Sequence, residues 1–166
     1  RVAGLAEAEV DWFLLGLRGD PDRVTRALEL ASAMDSVEID LHAMKLSLRG
    51  VPVPIGGTPL FYYAWYAMRR QDGDGWITNP ASNRPDRVAG QELIQLMNRF
   101  DGHARAINDL ERNGLKARTL DQNRSKIKDE IVAVLGEQLA DAYLFEASRH
   151  PDGVHTRYRL RVQGHR

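Results

Sequence analysis

The sequence predicts an α+β fold. Hydrophobic alternation at Val37, Ile39 and Leu41, and again at Leu46 and Leu48, has the period of two that strands require. Apolar stripes of helical period cover 58–70, 86–100 and 120–135. After the last of these come a tyrosine-centred apolar run, a Pro151-Asp152-Gly153 turn and a strand with an arginine at every second position.

With 166 residues the chain can build one good core, or one domain with a helical appendage. Hydrophobic residues at 43% and charged residues at 28% describe a globular protein and exclude a disordered one. There is no cysteine, so disulfides, thiol nucleophiles and cysteine-ligated zinc are excluded. No apolar run approaches the roughly 20 residues of a membrane helix, and no signal peptide is visible. An intracellular, cytoplasmic protein is expected, and Arg1 at the first position suits a fragment of a longer chain. Formal charge is zero, which argues against a large non-specific polyanion binder. The positive charge is local: residues 116–128 hold Lys116, Arg118, Arg124, Lys126 and Lys128 against Asp121 alone.

Residues 1–35 read as a helical pair. Val2, Leu5, Ala6, Val10, Phe13, Leu14 and Leu17 form one apolar face, and Gly19-Asp20-Pro21 separates a second helix to about Met34. The pair suits a cap, a dimerisation hairpin or a linker to an upstream domain. Residues 36–166 form the main domain. It opens with a small antiparallel sheet over 37–55, turning at Arg49-Gly50, with Pro52 and Pro54 marking an edge. Thr58 as N-cap and Pro59 as first helical residue start a helix to about Arg70. Leu60, Phe61, Ala64, Trp65 and Met68 are its buried stripe; Tyr62, Tyr63 and Tyr66 widen it, as core rather than as a base-stacking platform.

Residues 71–87 are the main loop. Asp72-Gly73-Asp74-Gly75 lacks the other ligands of a calcium loop and reads as a surface turn. Helix 86–100 turns Val88, Leu93, Leu96, Met97 and Phe100 inward. Helix 103–112 offers Ala106, Ile107 and Leu110 and ends at Asn113-Gly114 with a left-handed cap. Thr119 and Gln122 have capping-box spacing, which sets the next helix at Leu120, with Ile127, Ile131, Val134 and Leu135 inward and Gly136 as its stop.

A short helix, a polar helix and a hairpin make the order of a winged helix-turn-helix. On the polar helix the outward face is Gln122, Ser125, Lys126 and Asp129, flanked by Asn123, Arg124 and Lys128. Gln and Asn can bond adenine, Arg and Lys guanine or phosphate, and Ser either. The plainer alternative is a solvated helix face. In the last strand, Val154, Thr156, Tyr158, Leu160 and Val162 alternate with His155, Arg157, Arg159 and Arg161. Cations two residues apart repeat at roughly 6.8 Å. That suits either phosphate contact or protection of an edge strand. The partner strand is expected at 143–146 and the tip at 148–153. The five histidines show no metal-ligand spacing, and no catalytic motif occurs, so neither an enzyme nor a cofactor is expected.

From 37 to 162 the chain resembles the winged-helix effector domains of OmpR/PhoB-type response regulators. Leu120, Asp121, Ser125, Lys126, Ile127, Lys128 and Ile131 match the pattern of their third helix, and Arg157-Tyr158-Arg159-Leu160 is similar to their closing strand. The resemblance implies that Gln122, Asn123, Ser125 and Lys126 face a major groove, and that Arg149 and Arg157 face backbone or minor groove. Arg124, Asp129, Glu130 and the longer segment 71–112 depart from the family. A looser resemblance, through Leu46-Ser47-Leu48-Arg49-Gly50 and Pro59-Leu60-Phe61-Tyr62, is to the C-terminal regions of CRISPR-associated CARF-type ring-nuclease proteins. It implies a sensor domain upstream and an interaction or dimerisation role. The expected function is DNA binding by Gln122, Asn123, Arg124, Ser125, Lys126, Lys128, Arg149, Arg157 and Arg159, with duplex DNA and a second copy of the chain as partners.

Overall fold

Three short strands open the described domain: β1 (Val37–Asp40), β2 (Lys45–Leu48) and β3 (Val51–Val53). The computed structural model describes residues 9–12, 14–15 and 36–162. The strands pair antiparallel in chain order, with Ile39 opposite Leu46 and Leu46 opposite Val53. Pairing at this register gathers alternate apolar side chains on one face, and Leu46 and Leu48 are fully buried there. Arg49 and Gly50 turn the chain with φ of 52° and 78°, the two left-handed residues of a tight hairpin. β3 is an edge, where Pro52 forfeits no ladder bond.

α1 (Thr58–Asp72) crosses the centre of the core. All seven residues from Leu60 to Tyr66 are buried, so the helix is enclosed on every side through its first two turns. Its cap differs from expectation: Gly57, at φ 65°, precedes the helix, no side chain caps it, and Pro59 sits within the first turn. The core ends at Tyr66. Met68, expected inside, is 40% exposed, because the last turn leaves the packed layer and carries Arg69 to Glu92 and Arg70 to the Leu160 carbonyl.

β4 (Ile77–Thr78) lies inside the stretch expected to be loop. Next, α2 (Arg87–Arg99) is capped by Asp86, whose Oδ1 accepts from the Ala89 N–H at 2.9 Å. Its buried residues are Ala89, Gly90, Leu93, Ile94, Leu96 and Met97. That stripe leaves Val88, one position away, about 100° round the helix and 77% exposed, against the expectation. α3 (Ala104–Asn113) buries Leu110 and ends as expected, with Gly114 at φ 73° and its N–H bonded to the Leu110 carbonyl.

α4 (Ala117–Ala140) begins three residues before the expected start, with Lys116 at the N-cap and no side-chain cap. Thr119 is therefore inside the helix, and the capping box with Gln122 does not form. An antiparallel bridge of Asp86 with Leu115 holds the chain extended up to the helix and brings the beginnings of α2 and α4 together. Gly136, at φ 80°, breaks the helix as anticipated. A 3-10 turn, Asp141–Tyr143, leads into β5 (Phe145–Arg149) and β6 (Thr156–Leu160). The second sheet has the order β4-β6-β5. β6 is its central strand, so the edge-protection reading of its arginines does not apply.

The described residues thus form an α+β domain with two small antiparallel sheets. Tyr62, Tyr63, Tyr66 and Tyr143 are its largest fully buried side chains, consistent with core packing. Of the N-terminal pair, only a short helical segment is described. Trp12, omitted from the expected apolar face, is 5% exposed, edge-on to Tyr143 at 6.2 Å and beneath the Arg49 guanidinium at 4.6 Å. Leu14, expected on that face, is 50% exposed. The remainder of that pair lies outside the described residues. No helix among the described residues is long and apolar enough to cross a membrane.

Candidate nucleic-acid interface

The candidate site is the face of α4 opposite its buried stripe, together with the β5–β6 hairpin. Leu120, Ile127, Ile131 and Leu135 anchor α4, and helical spacing turns Gln122, Ser125, Lys126 and Lys128 outward, where all four are exposed. Asp121, Asp129 and Glu130 are exposed on the same helix and temper its positive charge. Between α4 and the hairpin lies an open groove of 350 Å³, lined among others by Asp121, Ser125, Lys128, Asp141, Phe145 and Tyr158.

Two residues expected to contact DNA from the flanks of that face are buried. Asn123 is 7% exposed and donates to the Thr119 carbonyl at 2.9 Å, so its amide is engaged within the helix. Arg124 is also 7% exposed. Its guanidinium donates to the Tyr66 hydroxyl at 2.9 Å and to Asn79 Oδ1 at 3.3 Å, pairs with Asp121, and lies 3.6 Å from the Tyr158 ring centre. Both assignments are corrected: a side chain so enclosed cannot also reach a base. Burial raises the Tyr66 pKa above its ordinary value, with Arg124 opposing the rise. The neutral phenol accepts from the cation. Arg124 thereby ties α1, the end of β4, α4 and β6 at one point, fixing the angle between helix and hairpin.

The hairpin arginines divide. Arg149 is exposed near the tip and donates to the Gly153 carbonyl at 2.7 Å. Arg157 and Arg159 lie over the Trp76 ring at 4.5 and 4.3 Å. Arg159 also pairs with Glu146 and donates to the Asp74 carbonyl, so much of its capacity is spent inside the fold. Arg161 pairs with Glu146 and Asp141. The row of cations expected on this strand is largely a buttress between the sheet and the 74–76 turn.

Asp152 organises the tip. Its carboxylate accepts from the Val154 and His155 N–H groups and from the His155 ring, with His150 at 3.3 Å. These bonds, the His155 ring foremost, hold its pKa well below the carboxylate range. His150 and His155 meet at the turn through Asp152. Among the described residues no group of three or more His, Asp or Glu side chains is placed to hold a metal ion.

Sequence reasoning passed over Arg84 and Arg87. Both are exposed and line a groove of 610 Å³ that also takes in Asn79, Asn83 and His155. The signal was weak, since they sit in a stretch dominated by turn residues. Comparison with protein-family models, curated proteins and solved structures finds no match to this chain. Both resemblances therefore stand on the residues quoted for them.

Proposed function

We propose that residues 58–162 are a winged helix-turn-helix module that binds duplex DNA, with α4 entering a major groove and the β5–β6 hairpin as the wing. One observation carries this reading. After the three-residue connector 114–116, α4 presents Gln122, Ser125 and Lys126 outward from a firmly buried base, and Ser125 and Lys128 line the groove between the helix and the hairpin. A helix held in this way can enter a groove about 12 Å wide. The strand order β4-β6-β5 supports it further, because it ties the wing to the segment between α1 and α2. The contact set is narrower than the sequence suggested: Gln122, Ser125, Lys126, Lys128 and Arg149 remain available.

The test is a duplex titration at two salt concentrations. Each phosphate contact contributes about −0.9 to the slope of log affinity against log salt. Lys126, Lys128 and Arg149 together give a slope near −3. Lys126→Ala with Lys128→Ala makes it about two units shallower. Retention that ignores salt, or no retention at 50 mM salt, contradicts the reading. A second reading, an interaction module with no DNA-binding role, is favoured by the exposed acids Asp121, Asp129 and Glu130. It predicts a stable dimer by sedimentation and no salt-dependent DNA retention.

A further inference from the structure

The bridge between Asp86 and Leu115 makes a cationic junction from residues far apart in sequence. Their backbones exchange hydrogen bonds at 2.8 and 3.0 Å, and Arg87 Nη2 reaches the Arg112 carbonyl at 3.5 Å. The approach is close enough that a Cβ on Gly114 would lie 3.0 Å from Pro85 Cβ. Arg84, Arg87, Arg112, Lys116 and Arg118 are thereby brought to one corner of the domain, and all five are exposed. Among the described residues, the side chains of Arg84, Lys116 and Arg118 make no hydrogen bond or ion pair. Asp86 is committed to capping α2, and the nearest exposed acids along the chain are Asp109 and Glu111 on α3 and Asp121 on α4.

The start of α4 also breaks a local rule. A helix beginning favours acids or a capping oxygen, because its free N–H groups carry partial positive charge. Here Lys116 occupies the cap, Arg118 lies in the first turn, no acid accompanies them, and no side chain caps the helix. Such violations are expected where a ligand supplies the missing charge. Arg118 stands on one ridge of α4 with Gln122 and Ser125, at i, i+4 and i+7. The corner is therefore continuous with the face assigned to the major groove.

We infer that this corner clamps the sugar-phosphate backbone of the duplex beside the groove that α4 enters, with Arg84, Lys116 and Arg118 as its free cations. The inference rests on the DNA-binding reading above. The groove lined by Arg84, Arg87 and His155 would continue the contact toward the hairpin tip.

The experiment compares four forms of the full chain by anisotropy on two unrelated duplexes, between 50 and 200 mM salt. They are the wild type, Arg84→Gln/Arg118→Gln, Arg84→Lys/Arg118→Lys and Lys126→Ala/Lys128→Ala. Both positions are exposed and unbonded, and a melting curve verifies the fold. The glutamine pair is expected to weaken binding about tenfold on both duplexes, to make the salt slope shallower by about two, and to be rescued by the lysine pair. Wild-type binding with an unchanged affinity and slope in the glutamine pair overturns the clamp alone. Absence of wild-type binding overturns the DNA-binding reading and the clamp with it. Loss in the glutamine pair while Lys126→Ala/Lys128→Ala binds normally overturns the role of α4 and, with it, the clamp's place beside that groove.

Discussion

Replacing Arg124 by methionine separates a structural cation from a DNA contact. The substitution keeps much of the side chain's volume but removes the guanidinium. Tyr66, fully buried, loses the donor to its hydroxyl, and a buried polar group left unpaired costs about 1–3 kcal/mol. The stack on Tyr158 contributes roughly 0.5–2 kcal/mol more. The pair with Asp121 adds little, because the Asp121 side chain is 55% exposed and solvent screens it. Together these give about 3 kcal/mol. With a urea m-value of about 2 kcal/mol/M, the midpoint of unfolding falls by roughly 1.5 M. Tyr66→Phe in the same background measures the coupling: the double variant should lose clearly less than the sum of the singles. An Arg124→Met protein as stable as wild type, to within about 0.5 kcal/mol, would refute the reasoning, since that is what an exposed side chain gives.

Two further outcomes follow from the geometry. Tyr63 donates from its hydroxyl to the Tyr143 carbonyl at 2.9 Å within the core. Tyr63→Phe should lower stability by about 1 kcal/mol, read by chemical denaturation, and an unchanged midpoint would contradict that bond. Asp152 has a depressed pKa, so its contribution to the hairpin tip is present above the ordinary carboxylate value and is lost as pH falls through the lower one. The Val154 and His155 amide resonances should therefore show no Asp152 titration at pH 4 and shift only in stronger acid; Asp152→Asn should displace them at neutral pH. A midpoint near 4 would overturn the assigned bonds.

The legible parts of the sequence were those where one period repeats long enough to specify a face. Alternation from Val37 to Leu48 gave the first sheet with its turn, and the 3.6-residue stripe of Ile127, Ile131 and Leu135 gave the buried side of α4. Gly114 and Gly136 marked helix interruptions because left-handed backbone favours glycine. β4 was illegible, since two residues carry no period and its pairing partner lies some 80 positions away. The start of α4 was misread for a related reason. A local capping pattern at Thr119 competed with the bridge from Leu115 to Asp86, a tertiary contact that extends the helix backward.

The candidate site divides in the same way. Sequence alone determined that an amphipathic helix with a polar outer face precedes a hairpin carrying arginines, because residue type and spacing fix amphipathicity. Only the tertiary structure decided which cations are free. Arg124 is one of five basic residues in 116–128; unlike Lys126 it shares helical spacing with Leu120, Ile127 and Ile131, but its partners Tyr66, Asn79 and Tyr158 come from three distant segments. Arg159 is likewise engaged by Trp76, Asp74 and Glu146. Arg84 and Arg118, 34 positions apart in the chain, reach one corner because a two-residue bridge joins the segments that carry them. Charge is written in the sequence, but its availability depends on what packs against it.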